Sequence, residues 1–223
     1  MSALIVAAGR GCRLGGRVAK QFLRLRGVSL VEWSLAAFEA APGVDEVWLV
    51  LPPGRLGMAS ALRRRYRKLR GAVTGGAERG DSVARGLARV RHDGVVLVHD
   101  AARPFVRPDL IARVVRAARR HGAAVPALPV ADALKRAAGR RVAGTLDRGG
   151  LWTAQTPQAF RTSLLRRAYQ GGGGGDPDDA ARVERSGRRV ALVAGSALNF
   201  KVTRGEDLRL ARLVAQGLSP ARR

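Results

Sequence analysis

Gly94-Val95-Val96-Leu97-Val98-His99-Asp100-Ala101-Ala102-Arg103-Pro104-Phe105 is the stretch on which the fold class turns. Its apolar run does not alternate with polar residues, so both faces of the strand at 94–99 are buried, and it stops at a carboxylate. Runs of the same kind recur outward from it. They lie at 3–7 (ALIVA), 46–51 (EVWLVL, ended by Pro52-Pro53), 72–74, 123–130 (AAVPALPV) and 189–194. Helical patterns fill the intervals. One covers 29–41, with Leu30, Trp33, Ala37, Phe38 and Ala41 on one face. Others cover a basic stretch at 55–69, then 81–92, 108–121 after Pro108, part of 158–169, and 178–186. A last helix begins near Gly205, where Thr203 and Glu206 have capping-box spacing, and Gly217 marks its end. This alternation predicts an α/β fold with a mostly parallel sheet.

The stretch 131–154 breaks the pattern. It is polar, Arg-rich and interrupted by Gly139, Gly144, Gly149 and Gly150, and reads as an arm leaving the sheet. The unbroken run Gly171–Gly175 reads as a flexible surface loop. With 223 residues, the chain is expected to form one domain over 1–223, carrying that arm.

Apolar residues make up 46% of the chain, which argues against disorder. No apolar run approaches the roughly eighteen residues of a membrane span, so no membrane partner is expected. The start Met1-Ser2-Ala3-Leu4 runs straight into a strand and lacks the features of a signal peptide. A single cysteine, Cys12, excludes a disulfide within the chain. Together these point to the cytoplasm.

The net charge of +24 raises nucleic-acid binding as a function class. The distribution argues against it. Of 41 basic residues only four are lysines, Lys20, Lys68, Lys135 and Lys201, and the arginines are spread along the whole chain. Aromatic residues are 4% of the total, too few for base-stacking platforms. Small polyphosphates remain suitable partners. In a chain that uses arginine almost everywhere, a lysine marks a place where a compact ammonium is needed.

Several segments carry candidate chemistry. After the first strand comes Ala7-Ala8-Gly9-Arg10-Gly11-Cys12-Arg13-Leu14-Gly15-Gly16, with Lys20 beyond it. Walker A is excluded because no Gly-Lys-Ser/Thr ends the loop. A dinucleotide site is excluded because the second strand ends in Leu51-Pro52 rather than an acid. Two readings remain: a cationic loop for a triphosphate, or a surface turn in an Arg-rich chain. Asp100, at the carboxyl end of a buried strand, suits Mg²⁺ or a ligand, the alternative being a turn residue or a partner for Arg103. In Gly76-Ala77-Glu78-Arg79-Gly80-Asp81-Ser82-Val83, either Ser82 binds a ligand or the segment caps the helix through Asp81 or Ser82. His99 alone reads as a satisfied core histidine. No Cys/His cluster has zinc spacing, and no triad suggests covalent catalysis.

In this order, the glycine loop with Arg13 and Lys20-Gln21, the Glu78–Val83 segment, His99–Phe105, Asp147–Gln158 and Asn199–Thr203 resemble the 2-C-methyl-D-erythritol 4-phosphate cytidylyltransferases of the non-mevalonate isoprenoid pathway. The resemblance runs from Ala3 to about Leu213. It implies a Rossmann-like three-layer nucleotidyltransferase sheet with a protruding β-arm, CTP and a small sugar-alcohol phosphate as substrates, Mg²⁺ as cofactor, and a homodimer built on the arm. Ala7, Ala8, Gly9 and Gly76, with Ser82, are then expected to hold the cytidine. Arg13 and Lys20 would stabilise the pentacoordinate α-phosphate, and Asp100 would act with the metal. Arg148 and Lys201 would position the acceptor, and Arg103 and Thr156 are expected among the substrate-binding residues. Four positions depart from the family pattern: Ala19 before Lys20, Ala77 before Glu78, Ala133 for a threonine, and Pro177 at the start of Pro177-Asp178-Asp179-Ala180. Cytidylyltransferases for ribitol phosphate or another alditol phosphate are the nearest alternative. They usually carry a Gly-Gly start to the first loop; Ala7-Ala8-Gly9 and Gly150-Leu151-Trp152 favour methylerythritol phosphate.

Dispersed charge and scarce aromatics predict no sequence-specific affinity for duplex DNA at physiological salt. Nanomolar, sequence-dependent binding in a fluorescence titration at that salt would contradict this reading.

Overall fold

Residues alternate along the central strands of the main sheet between two apolar layers, and this fixes the architecture. The computed structural model describes residues 1–9, 19–171 and 175–218. The strands are β1 (Ser2–Val6), β2 (Arg24–Leu25), β3 (Val28–Ser29), β4 (Glu46–Leu51), β5 (Leu69–Thr74), β6 (Val95–Asp100), β7 (Ala123–Pro129), β8 (Leu134–Ala138), β9 (Arg141–Leu146), β10 (Trp152–Ala154), β11 (Gln158–Arg161) and β12 (Ala191–Ala194). The helices are α1 (Leu30–Ala40), α2 (Gly57–Arg63), α3 (Arg79–Leu87), α4 (Pro108–His121), α5 (Thr162–Gln170), α6 (Asp179–Arg185) and α7 (Gly205–Gln216).

Ala3, Ile5, Leu49 and Leu97 point to one face, where α1 brings Val31, Leu35 and Phe38, and α4 brings Leu110, Ile111 and Val114. Leu4, Val96 and Val98 point to the other, where they meet Val83 and Leu87 of α3, Leu164 and Leu165 of α5, and Val183 of α6. Helices on both faces of one sheet give three layers, and explain why β6 is buried at all six residues. Each fully buried leucine is worth ~1.5–3 kcal/mol of transfer free energy. The fold is the α/β, mostly parallel arrangement expected from the alternation.

The main sheet runs β7-β11-β6-β1-β4-β5, with β10 and β12 also paired to β7. β1 has parallel neighbours on both sides, β4 and β6. Successive crossovers therefore diverge at β1, which opens a crevice at the carboxyl ends of β1 and β6. β11 and β10 run antiparallel to their neighbours. Hydrophobic patterning reports burial but not strand direction, so this insertion carries no sequence signal.

The arm is present as the hairpin β8–β9, which forms its own two-stranded sheet. Its residues are mostly exposed, Val142 among them at 67%. Trp152 to Ala154, the end of the expected arm, instead joins the main sheet as β10.

Several boundaries differ from the sequence reading; the strand expected at 72–74, for one, begins at Leu69. The basic helix ends at Arg63 rather than 69, because Tyr66 and Leu69 turn inward to the core. The helix expected over 81–92 starts earlier and stops at Leu87. At the start of α7 the capping carboxylate is Asp207, not Glu206: it accepts hydrogen bonds from the Thr203 and Arg204 amides and from the Thr203 hydroxyl. Residues 172–174 of the glycine run lie outside the described residues.

Candidate active site

The carboxyl ends of β1, β4, β5 and β6 surround a cleft of about 760 Å³. The first three strands line it with the residues immediately beyond their ends: Ala7, Ala8 and Gly9 after β1, Pro52 and Pro53 after β4, Gly75 and Gly76 after β5. From β6 it is the last residue, Asp100, that faces the cleft. Lys20 and Lys201 close the rim with Glu78, Arg79 and Arg85.

The two glycines after β5 are dictated by close approach. A Cβ on Gly75 would lie 2.2 Å from the Ala8 Cβ, and one on Gly76 would lie 2.1 Å from the Asp81 Cβ. Ser82 is buried there. Its hydroxyl accepts from the Gly76 amide at 3.1 Å and donates to the Glu78 carbonyl at 3.1 Å. Asp81, not Ser82, serves the helix start, accepting from the Glu78 amide at 3.0 Å. On the opposite wall, the Gln21 amide group donates to the Ala7 and Gly9 carbonyls at 2.6 and 2.8 Å. It thereby ties the segment carrying Lys20 to the end of β1.

Asp100 is the electrostatic centre. It is 8% exposed. Lys201 Nζ donates to Oδ2 at 2.6 Å, and Arg79 Nε donates to Oδ1 at 3.2 Å. Burial works to raise its pKa. The charges of Arg79 and Lys201 outweigh that and hold the carboxyl well below the ordinary carboxylate range. Arg79 Nη1 also lies 2.8 Å from Asp179 Oδ2. Burial disfavours the guanidinium charge, but Asp179 and Asp100 together more than offset this and keep it protonated.

A neutral network sits behind Asp100. The Asp100 amide donates to Thr156 Oγ1 at 3.1 Å, and that oxygen lies 3.1 Å from His99 Nδ1. His99 Nε2 lies 3.1 Å from the Arg103 carbonyl, which can only accept. The ring is therefore the Nε2–H tautomer, and Nδ1 accepts the threonine hydroxyl. Arg103 donates to the Asn199 and Ala154 carbonyls at 2.9 and 3.3 Å. Asn199 in turn donates to the Thr156 carbonyl at 2.8 Å. These bonds fix Lys201, two residues on from Asn199.

The cleft thus gathers Ala7, Ala8, Gly9, Lys20, Gly76, Ser82, Asp100 and Lys201 from the expected site residues. Arg103 and Thr156 stand behind it, Thr156 within the neutral network and the charged Arg103 bonded to its edge. Arg148 lies on the segment between β9 and β10, exposed and apart from this cleft. Arg13 lies outside the described residues. Sequence reasoning did not single out Arg79, Arg85 or Asp179. Among 37 arginines none carries a signal of its own, and Asp179 is 79 residues from Asp100.

The family model for 2-C-methyl-D-erythritol 4-phosphate cytidylyltransferase matches residues 1–216. The chain belongs to that family. A relative so named from Cereibacter sphaeroides is 45% identical over 217 residues, 96% of each chain. The solved structure of the Thermus thermophilus 2-C-methyl-D-erythritol 4-phosphate cytidylyltransferase superposes with a TM-score of 0.81 at 42% identity, covering 96% of this chain and 98% of that one. A protein of Dinoroseobacter shibae named bifunctional enzyme IspD/IspF is 47% identical over 208 residues, 93% of this chain and 52% of its own length. The chain therefore spans about half the length of such bifunctional relatives, and nearly all of those named for the cytidylyltransferase alone. Cytidylyltransferases of this family are nucleotidyltransferases of the non-mevalonate isoprenoid pathway.

Burial pulls the His99 pKa down to about 4, with Asp100 opposing and Arg103 reinforcing. The folded ring thus protonates at lower pH than the unfolded ring. Its contribution to stability is whole above the ordinary value of 6.5 and is lost as pH falls toward 4. Urea midpoints measured from pH 7.5 to pH 4 should fall across that window. His99→Gln, which keeps a donor and an acceptor but does not titrate, should flatten the slope; an unchanged slope would remove His99 as its source.

Proposed function

We propose that this chain transfers the cytidylyl group of CTP to 2-C-methyl-D-erythritol 4-phosphate, releasing pyrophosphate, and that it does so with Mg²⁺, as a homodimer, in the cytoplasm. The observation that carries the reaction is the convergence of Lys20 and Lys201, two of only four lysines, on one cleft at the carboxyl ends of the strands. The other two lysines have local duties. Lys68 donates to the Ala41 carbonyl at 2.8 Å, beyond the end of α1, and Lys135 to Thr145 within the arm.

The acceptor's 4-phosphate oxygen attacks the α-phosphorus of CTP while the bond to the leaving pyrophosphate oxygen breaks. The nucleophile is already anionic, so no general base is needed. What the site supplies is orientation and neutralisation of charge on the pentacoordinate phosphorus. The rigid Gly75–Gly76 turn and the backbone of Ala7–Gly9 hold the nucleotide. Lys20, with Arg13 seven residues earlier in the sequence, meets the developing negative charge. Lys201 sits where it reaches both Asp100 and an incoming phosphate.

For the metal, no group of three or more His, Cys, Asp or Glu side chains among the described residues forms a cage. A lone buried carboxylate beside a phosphate site suits Mg²⁺, which is held through one or two carboxylates and substrate phosphates. Asp100 would hold it; when bound, it would neutralise phosphate charge and orient the triphosphate.

The arm supports the homodimer. Val142 and Leu146 are exposed on it and Leu151 and Trp152 at its base, and a two-stranded sheet with open edges gains from a second copy. Arg148 is then brought to the acceptor site of the partner body, where its planar fork can grip a phosphate with two parallel hydrogen bonds. Ala7-Ala8-Gly9, rather than a Gly-Gly start, favours the methylerythritol acceptor over ribitol phosphate.

Lys20→Ala is expected to lower turnover by roughly 10²–10³-fold, the loss of one transition-state donor. Lys68→Ala should lower thermal stability and leave turnover close to wild type. Pyrophosphate release, measured with CTP and several alditol phosphates, checks both; near-normal turnover in Lys20→Ala would sink the assignment.

If the acceptor site is shared, Lys20→Ala and Arg148→Ala chains should complement each other. A heterodimer carries both lesions at one site and leaves the other intact. With free subunit exchange, roughly a quarter of wild-type activity per site should return. Sedimentation showing heterodimers without recovered activity would place Arg148 in its own subunit's site.

A further inference from the structure

Arg79 does not pair with Asp100 as a guanidinium beside a carboxylate best can. Two parallel N–H bonds onto both oxygens give the strongest geometry. Here Nε alone reaches Asp100, at 3.2 Å on Oδ1, while Nη1 lies 2.8 Å from Asp179 Oδ2. Nη2 is buried with no hydrogen-bond partner among the described residues. The guanidinium is held between two acids, with its Nη2 and the facing Asp179 Oδ2 both buried without a hydrogen bond among the described residues, so the Nη1 contact to Asp179 is an ion pair.

What pulls it is anchored firmly. Asp179 is 1% exposed at the first turn of α6. The Tyr169 hydroxyl donates to its Oδ1 at 2.6 Å, and the Arg182 guanidinium lies 4.3 Å from the centre of the Tyr169 ring. The start of α6 is pinned in turn: Gln158 donates to Asp178 and accepts from the Ala180 amide. Tyr169 and Asp179 make no contact with the large cleft, and no step of the reaction calls for them.

We propose that Asp179, oriented by Tyr169, is a positioning residue that restrains Arg79 from closing on Asp100 and so keeps the Asp100 carboxylate open to a divalent cation. The inference rests on the reading of Asp100 as the magnesium ligand. A carboxylate offers about four lone-pair directions. Lys201 uses one on Oδ2 and Arg79 one on Oδ1, so each oxygen retains one. Were Asp179 neutral, Arg79 would be free to take both oxygens, in direct competition with the metal. An ion pair with a purely structural role would change stability and leave metal affinity at Asp100 untouched.

The experiment measures binding of the non-reactive α,β-methylene analogue of CTP by calorimetry, once with MgCl₂ and once with EDTA. The ratio of the two affinities reports what the metal contributes. Wild type should show a large ratio, and Asp100→Asn should bring it near one. Asp179→Asn should lower the ratio by about tenfold, a usual size for coupling between linked sites. Tyr169→Phe removes no charge and should move it the same way by less. The double variant Arg79→Gln/Asp179→Asn, which lacks the competing cation, should return the ratio to wild type or above. Thermal unfolding of each variant confirms that it is folded; should Asp179→Asn fail to fold, Tyr169→Phe and the double variant still decide. A wild-type ratio in Tyr169→Phe and Asp179→Asn, with collapse in Asp100→Asn, would overturn the role of Asp179 and leave the metal reading standing. A ratio near one in the wild type would overturn the metal reading, and this inference with it.

Discussion

A carboxylate charge buried at the end of β6 is the constraint around which the rest is arranged. Taking such a charge out of water costs several kcal/mol unless it is paired and hydrogen-bonded. Asp100 is paired twice, by Lys201 from the segment before α7 and by Arg79 from the first turn of α3. Arg79 brings its own demand, which Asp179 of α6 meets. One acid at a strand end therefore draws in groups from three other elements, the farthest, Lys201, 101 residues along the chain from it, and the cleft has its shape because those elements must meet there. The same pairing holds the Asp100 carboxyl well below the ordinary carboxylate range, which suits it to accept hydrogen bonds rather than to donate a proton.

Behind this charged layer lies a neutral one, and its neutrality has a cause. His99 faces Arg103 and is wholly buried. A charged ring there would meet both a desolvation penalty and a like charge. Held neutral, it has one donor and one acceptor at fixed positions, which order Thr156 beneath the Asp100 amide and the Arg103 carbonyl beside it. Gln155 and Asn199 complete the layer: Gln155 donates to the Ser196 carbonyl and accepts from Asn199. The geometry of the charged groups is thus set by uncharged ones, whose bonds do not weaken with salt as surface pairs do.

How much of this the sequence discloses depends on the range of each interaction. Strands buried on both faces announce themselves by unbroken apolar runs, and α4 by Pro108 at its start, so the alternation of strands and helices was legible. Asp100 was legible because a carboxylate ending an apolar strand is unusual, and Lys20 and Lys201 because lysine is scarce. The roles of Gln21, Arg79, Tyr169 and Asp179 were not, although the first two and the last fall within quoted motifs: each acts on a partner that only the fold brings near, and each is of a type that also occurs on any surface. The direction of β11 was hidden for a related reason, since an antiparallel strand within a buried sheet has the same composition as a parallel one. The cap of α7 went to Asp207 rather than Glu206 because a shorter side chain one residue on reaches the Thr203 and Arg204 amides together.

The division of labour between arginine and lysine is the last consequence. Arginine serves here as a strut wherever several acceptors must be spanned. Arg103 joins two carbonyls, Arg79 joins two acids, and Arg26 reaches the Ala215, Gln216 and Leu218 carbonyls at the end of α7. A planar fork with five donors is suited to that, and its shape limits it to fixed geometries. A phosphorus centre that changes from four to five oxygens during reaction needs a donor that can track a moving oxygen. An ammonium on a flexible stem with three rotating donors does so. On the proposed reaction, Lys20 and Lys201 are the cleft groups suited to that task, beside arginines whose fixed forks suit them to spanning.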